Sequence, residues 1–170
     1  MTFETFSLED LKVRDRDAWE SLYDALAPDL RSFVQRIGAK DPDDIVGETM
    51  LNIVRDIASF KGNVDELRPW AFRIARNRVI DAARRQKSRP QEVALADSDS
   101  ELPSVTDSLG EIDLSLLTQV LDLLTPEQRE TLWLRYAMDF SLETTAEIMG
   151  SSPDAVASMA YRALSRLRAS

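Results

Sequence analysis

The sequence has neither cysteine nor histidine among its 170 residues, and only five glycines. Without cysteine there are no disulfides or thiol nucleophiles, and without either residue type the common zinc sites are excluded. The usual general base near neutral pH is missing as well. No stretch alternates apolar and polar residues for long, so the pattern favours helices over strands.

Long apolar runs are also absent. None approaches the roughly 20 residues that a membrane-spanning helix needs. The opening residues, MTFETFSLEDL, lack the basic start and the apolar stretch of a signal peptide. There is no glycine-rich phosphate loop and no nucleophile–base pair, so an enzyme is not indicated. We expect a soluble, cytoplasmic protein with no membrane partner, no metal, no cofactor and no small-molecule substrate.

Charge is distributed very unevenly along the chain, whose net charge is −9. Residues 1–67 carry a net charge of −7, whereas 68–89 carry eight cations against one acid, a net charge of +7. Residues 90–111 carry six acids and no base. A protein that coats nucleic acid without specificity is basic throughout. The pattern indicates a local nucleic-acid contact, with acidic surfaces for other purposes.

Helical signals organise the first half of the chain. The segment 15–37 is predicted to be an amphipathic helix that Pro28 kinks or splits. A second helix is predicted to begin at the N-cap Asp41, and a third to cover about 69–87. Residues 1–89 are therefore predicted to form a small helical domain.

Residues 90–111 interrupt this pattern with two prolines, five serine or threonine residues and six acids. Such a composition predicts a flexible acidic linker, which could stretch to roughly 70 Å. The linker leaves the domains on either side free to sit well apart.

The block 112–170 is predicted to be a second small helical domain. Its predicted helices cover about 113–124 and begin after the caps Thr125, Ser141 and Ser152. A short helix, a turn at Gly150 and a longer last helix are typical of a helix-turn-helix, although an ordinary helical hairpin has the same spacing. The predicted fold class is thus all-α, with two helical domains joined by an acidic linker.

Plotted as a helix at about 100° per residue, the basic segment has an apolar side and a polar side. One side collects Ala71, Ile74, Ala75, Val79 and Ala82. The other collects Arg73, Arg76, Asn77 and Arg84, beside the aromatic ring of Trp70. Guanidinium groups hold phosphates, an amide can pair with a base edge, and rings such as Trp70 and Phe72 stack on exposed bases. This side favours a nucleic acid with unstacked bases; the alternative is a solvated charged face with Trp70 in the core.

The motif W-x-x-R-I-A-x-N-x-x-x-D, at Trp70, Arg73, Ile74, Ala75, Asn77 and Asp81, is followed by the acidic linker and the helix-turn-helix. In this order and spacing, the chain resembles the extracytoplasmic-function (ECF, group IV) sigma factors of bacterial RNA polymerase. The resemblance covers nearly the whole chain. It implies core RNA polymerase, promoter DNA and an anti-sigma factor as partners.

The resemblance also implies roles for individual residues. A helix over 41–58 would grip the polymerase clamp through Asp44, Ile45, Glu48, Thr49 and Asn52, with Leu51 nearby. The first domain would melt the −10 element and capture a flipped base, with the loop 61–67 forming the pocket. The residues implied for this DNA contact are Lys61, Asn63, Trp70, Arg73, Arg76, Asn77 and Arg84. The last helix would contact the −35 element, with Ser158, Tyr161 and Arg162 as the candidates.

The sequence departs from the family pattern in two places. Gly47 stands where the family usually has glutamine, and Ala157 and Met159 stand where it usually has lysine or arginine. The second departure keeps open a sigma-like adaptor that starts no transcription. A separate alternative is a stand-alone helix-turn-helix repressor, which would bind duplex DNA without polymerase.

Overall fold

The computed structural model describes residues 6–88 and 123–169. Within these ranges the structure is helical and contains no strand, which confirms the all-α prediction. The linker predicted at 90–111 lies outside the described residues, as does most of the helix predicted at 113–124. The last two residues of that predicted helix, Leu123 and Leu124, are described and lie in a turn.

The first domain is built from four helices with short connections. They are α1 (Leu8–Lys12), α2 (Arg16–Arg36), α3 (Pro42–Asp56) and α4 (Leu67–Ser88), with 3₁₀ turns at Ile57–Ser59 and Val64–Glu66 between the last two. The predicted cap of α3 is confirmed, because Asp41 Oδ1 accepts the backbone N–H of Asp44 at 3.1 Å. Such a cap satisfies a donor that the first helical turn otherwise leaves unpaired.

Helix α2 runs through Pro28 without interruption, so the predicted split does not occur. A proline inside a helix costs about 3 kcal/mol, because it removes a backbone hydrogen bond and crowds the preceding turn. Pro28 lies on the exposed side, while Leu26 and Leu30 around it are completely buried. Each such burial contributes about 1.5–3 kcal/mol, and this packing outweighs the cost of the proline.

Helices α2, α3 and α4 enclose the core of the first domain. Its buried side chains include Leu22, Leu26, Leu30, Phe33, Val34, Ile45, Val46, Met50, Ile53, Ala71, Phe72, Ala75 and Val79. The rings of Phe33 and Phe72 lie 5.0 Å apart between centroids. Because one side of α4 is fixed in this core, its opposite side faces away from the first domain.

The second domain contains α5 (Pro126–Leu132), continued by a π-helical turn at Trp133–Ala137, then α6 (Leu142–Met149) and α7 (Pro153–Arg168). All three predicted caps are confirmed: the side chains of Thr125, Ser141 and Ser152 each accept a backbone N–H of the following turn. Between α6 and α7 the chain turns at Gly150, whose φ of 63° lies in the left-handed region that favours glycine. The helix-turn-helix is thereby confirmed.

The two domains are in contact, although the sequence leaves them free to separate. Helix α6 packs on α4, and Phe140 meets Phe72 edge-on with ring centroids 5.1 Å apart. Leu134 and Met138 of the second domain are buried in the same continuous core. Across the described parts of the chain, none of the helices combines the length and apolar character required to span a bilayer.

Candidate nucleic-acid interface

The side of α4 that faces away from the core carries part of the predicted DNA-binding set. Arg73 and Asn77 are exposed and lie one helical turn apart. Arg84 is further along, with its side chain 78% exposed and 3.7 Å from Asp81. Ala82 was predicted to pack but is exposed, because the end of α4 projects beyond the core.

Arg76 was predicted to belong to the same exposed side, but the structure places it in a contact between the domains. Its Nε donates to Glu130 Oε1 at 2.6 Å, and its Nη2 to Glu130 Oε2 at 3.4 Å. The two side chains are only 18% and 8% exposed. In this arrangement the guanidinium of Arg76 holds a carboxylate of the second domain.

Arg68, at the start of α4, makes a second contact between the domains. Its Nη1 donates to the carbonyl oxygen of Met138 at 2.8 Å, and its Nη2 to Asp29 Oδ2 at 3.0 Å. The guanidinium carbon also lies 4.5 Å from the centre of the Phe140 ring. A cation from the basic segment therefore binds the second domain through its backbone and an aromatic ring.

A third cation between the domains is Arg36 at the end of α2, which lies 4.4 Å from the centre of the Trp133 ring. Burial lowers the pKa of Arg36, and the nearby charge of Arg129 acts in the same direction. Partial removal from water strengthens a cation–π contact of this kind. The Trp133 ring of the second domain is thus a further partner for a cation of the first domain, Arg36.

The loop before α4 has a shape fixed by its own hydrogen bonds. Asn63 Oδ1 accepts the backbone N–H groups of Asp65 and Glu66 at 2.9 and 3.1 Å. In return, the carboxylate of Glu66 accepts the N–H of Asn63 at 2.7 Å, which completes a capping box. The side-chain oxygen of Asn63 is therefore occupied, while Lys61 is exposed at the edge of the loop.

The two aromatic residues that open the basic segment have different environments. Trp70 is half-buried and stacks on Phe60, with ring centroids 4.6 Å apart. Phe60 in turn leaves no room at Gly62, where a Cβ would lie 2.5 Å from the ring. Phe72 is completely buried between Phe33 and Phe140, so its interpretation as a base-stacking ring is wrong. Phe72 is a core residue.

The residues implied for polymerase binding divide between the surface and the core. Asp44 is exposed, whereas Glu48 and Asn52 are half-buried. Glu48 Oε2 lies 3.7 Å from Arg78 Nη1 of α4, and Asn52 Oδ1 accepts a hydrogen bond from Arg55 at 3.0 Å. Ile45 is 6% exposed and Thr49 is completely buried, with its hydroxyl donating to the Ile45 carbonyl oxygen at 2.7 Å. These two residues support α3 from inside and do not reach a partner in this arrangement.

Apolar side chains beside Asp44 and Glu48 are unexpectedly exposed. Leu51 is 70% exposed and Val54 38%, and Tyr23 of α2 is 49% exposed across a groove that Val54 also lines. Tyr23 and Val54 fit the apolar periodicity of α2 and α3, but periodicity alone cannot separate the exposed edge of an apolar stripe from its buried centre.

Helix α7 presents its three candidate DNA-contacting residues together. Ser158, Tyr161 and Arg162 are exposed on one side, Tyr161 by 73%. Arg162 is the first cation of this side, since Asp154 and Ala157 precede it toward the N-terminus. The opposite side of α7 is packed, as its periodicity predicts.

Two other positions of α7 have structural roles. Met159 is half-buried and packs against the core, with its sulfur 4.0 Å from the hydroxyl of Thr131. Arg166 donates to the Leu123 carbonyl oxygen and to Gln128 Oε1, both at 3.3 Å. Met159 therefore points away from the side that carries Ser158 and Arg162, and Arg166 ties α7 to the start of α5.

Two family models match this chain in the order of its two domains. The model for sigma-70 region 2 matches residues 22–89, and the model for sigma-70 region 4 matches residues 114–167. The matched ranges contain α3, α4 and the helix-turn-helix. They place α4 in sigma-70 region 2 and α7 in sigma-70 region 4.

Individual relatives agree with these matches. The ECF RNA polymerase sigma factor ShbA of Streptomyces griseus is 32% identical over 85% of this chain and 74% of its own length. BldN of Streptomyces coelicolor is 28% identical over 94% of this chain, which spans 62% of BldN. A solved structure of the sigma factor RpoE of Bartonella quintana, in complex with the anti-sigma factor NepR, has a TM-score of 0.65 and 27% identity, covering 88% of this chain and 93% of that one. The chain therefore belongs to the ECF family of sigma factors, which give bacterial RNA polymerase its promoter specificity.

Proposed function

We propose that this chain binds core RNA polymerase, directs it to specific promoters, melts the −10 element with its first domain and contacts the −35 element with α7. The observation that carries the proposal is the exposed side of α4, where Arg73 and Asn77 lie together in a chain that is otherwise acidic. The capped loop containing Lys61 and Asn63 precedes this helix.

The chemistry of this side suits a strand that is being separated from its duplex. Flipping a base out of the stack costs a few kcal/mol. Stacking on an aromatic ring returns about 1–3 kcal/mol per base, and guanidinium groups hold the phosphates. Trp70 stacks on Phe60 and is only partly buried, and its remaining exposed surface is proposed to meet a base.

The second domain is proposed to read the −35 element weakly. Ser158, Tyr161 and Arg162 are its exposed candidates, and Arg162 provides the charge for a phosphate or a base edge. With so few cations on α7, much of the promoter affinity comes from the first domain and from tethering through polymerase.

Polymerase binding is proposed for the surface of α3 that carries Asp44, Glu48 and Asn52. The exposed side chains of Leu51 and Val54 lie on the same helix and add apolar area to a contact of this kind. Because the similar RpoE chain is solved with an anti-sigma factor, we infer that this chain is also held by one. With these partners we propose that the chain acts in the cytoplasm, and we propose no catalytic activity of its own.

Run-off transcription with purified core polymerase and a library of random promoter sequences tests the proposal. Transcripts should appear only when both chain and core are present, and the selected templates should share two separated elements. A chain that binds core polymerase without yielding transcripts would favour the adaptor. A chain that protects duplex DNA without polymerase would favour the repressor.

A further inference from the structure

The contact between the domains uses one cation, Arg76, that is predicted from the sequence to contact DNA. Arg76 lies among Arg73 and Asn77 on α4, yet its guanidinium is bound in two hydrogen bonds to Glu130. A carboxylate and a phosphate present similar pairs of oxygens to a guanidinium. The carboxylate of Glu130 therefore binds the guanidinium of Arg76 as a DNA phosphate would.

The same arrangement is too compact for a promoter. By their names, the −10 and −35 elements are separated by about 25 base pairs, which is about 85 Å along a straight duplex. In the structure, Phe72 of the first domain and Phe140 of the second have ring centroids 5.1 Å apart. Both domains cannot engage their elements on one duplex while these rings are in contact.

We propose that this arrangement is a closed, self-inhibited state, in which Glu130 covers Arg76 and keeps the two domains from spanning a promoter. The closure itself is independent of the proposed function, whereas its inhibitory effect rests on that function.

The contacts are suited to a state that opens. The packing of Phe140 on Phe72 gives apolar burial, and Arg68 adds hydrogen bonds and ring contacts. Domains of one chain move relative to one another by default unless their interface is large and hydrophobic, and here charged contacts of Arg36, Arg68 and Arg76 accompany the apolar ones. Arg76 and Glu130 form a buried ion pair between the domains, with side chains 18% and 8% exposed, and removing one partner of a buried pair leaves the other charge uncompensated. We therefore expect this pair to decide the balance between closed and open forms.

Inhibition follows from that balance. If only the open form binds polymerase and promoter together, the apparent affinity is reduced by the fraction of open molecules. A variant that raises the open fraction must lower the sigma concentration needed for transcription by the same factor. The structure thus predicts that weakening a contact remote from α7 improves transcription.

Closure can be measured directly in the full chain. Because the chain has no cysteine, Ser59→Cys in the first domain and Ser151→Cys in the second give two unique sites for fluorescent labels, both at exposed positions. Glu130→Arg places two guanidinium groups together and should lower the ratio of closed to open molecules on the order of a hundredfold, because like charges in contact are strongly repelled. Energy transfer between the labels should fall accordingly. Glu127→Arg, an equal charge change at an exposed position of the same helix, should leave it unchanged.

Exchanging the charges of Arg76 and Glu130 separates opening of the closed state from unfolding of the chain. Adding Arg76→Glu to Glu130→Arg should restore the ion pair and return energy transfer toward the original value. Unchanged transfer in Glu130→Arg, or no recovery in the exchanged pair, would overturn the closed state held by these residues.

The inhibitory effect is tested separately with unlabelled protein. Run-off transcription from a selected promoter is titrated with Glu130→Arg and with Glu127→Arg against fixed core polymerase. Glu130→Arg should reach half-maximal transcription at a lower concentration than its control. If Glu130→Arg lowers energy transfer but reaches half-maximal transcription at the same protein concentration as Glu127→Arg, the closed state exists but does not inhibit transcription. If neither protein supports transcription although the labels report closure, the proposed function fails while the closed state stands.

Discussion

Replacing Gly62 with alanine is expected to destabilise the first domain and to displace the ring beneath Trp70. A Cβ at this position would lie 2.5 and 2.9 Å from two atoms of the Phe60 ring and 2.8 Å from Glu66 Oε2. Carbon atoms in folded proteins do not approach each other so closely, so either the ring or the Glu66 carboxylate must move. Both belong to features of the candidate site, namely the Trp70 stack and the capping box of Asn63.

The size of the effect follows from those two features. Crowding a packed ring costs about 1–3 kcal/mol, and loss of a capping interaction costs about 1 kcal/mol. The reduced freedom of the unfolded chain returns about 0.4–1 kcal/mol. We expect a net loss of about 1–3 kcal/mol, and a domain of this size loses roughly 4–8 °C in Tm per kcal/mol.

Thermal unfolding followed by circular dichroism measures this loss, and Gly47→Ala is its matched control. Gly47 is exposed in α3, and a Cβ there would meet nothing within 4 Å. Alanine at that position should stabilise the helix by about 1 kcal/mol. Equal shifts in Tm for the two variants, or a rise with Gly62→Ala, would refute the reasoning. Permanganate reactivity of promoter thymines should also fall with Gly62→Ala, since Phe60 positions Trp70.

Three further outcomes are expected. Asn77→Ala should leave polymerase binding intact and reduce promoter melting, read as permanganate reactivity; normal melting would remove the amide from the −10 site. Asp44→Ala combined with Glu48→Ala should weaken association with core polymerase in co-elution from a sizing column, and unchanged co-elution would move the main contact elsewhere. Arg162→Ala should reduce transcription from promoters with an intact −35 element without changing Tm, whereas Arg166→Ala should lower Tm, because Arg166 joins α7 to α5; transcription with Arg162→Ala that equals the original would exclude Arg162 as a reader.

Local signals in the sequence predicted the helix starts well. Asp41, Thr125, Ser141 and Ser152 all cap helices in the structure, because a cap depends only on the few residues that follow it. Gly150 is predictable for the same reason, as the left-handed turn after α6 requires it. Features fixed within one or two helical turns were therefore accessible from the sequence.

Features fixed by packing between distant segments were not accessible. Phe72 has an aromatic neighbour on each side, one in α2 and one in the second domain, and no local pattern reveals either. Thr49 belongs to the buried side of α3 because its hydroxyl pairs with the Ile45 carbonyl, although threonine alone does not indicate burial. The partner of Arg76 lies on the other side of the predicted linker, whose length permits many arrangements of the domains.

The distance in sequence between Arg76 and its partner has a consequence for synthesis of the chain. Glu130 follows Arg76 by 54 residues, so a ribosome working at about 5–20 residues per second makes it roughly 3–11 s later. Small helical domains fold in microseconds to milliseconds. All of α4 is therefore synthesised before Glu130 exists, and until Glu130 is added Arg76 has no carboxylate partner from the second domain. In this interval only contacts within the first domain can stabilise its helices.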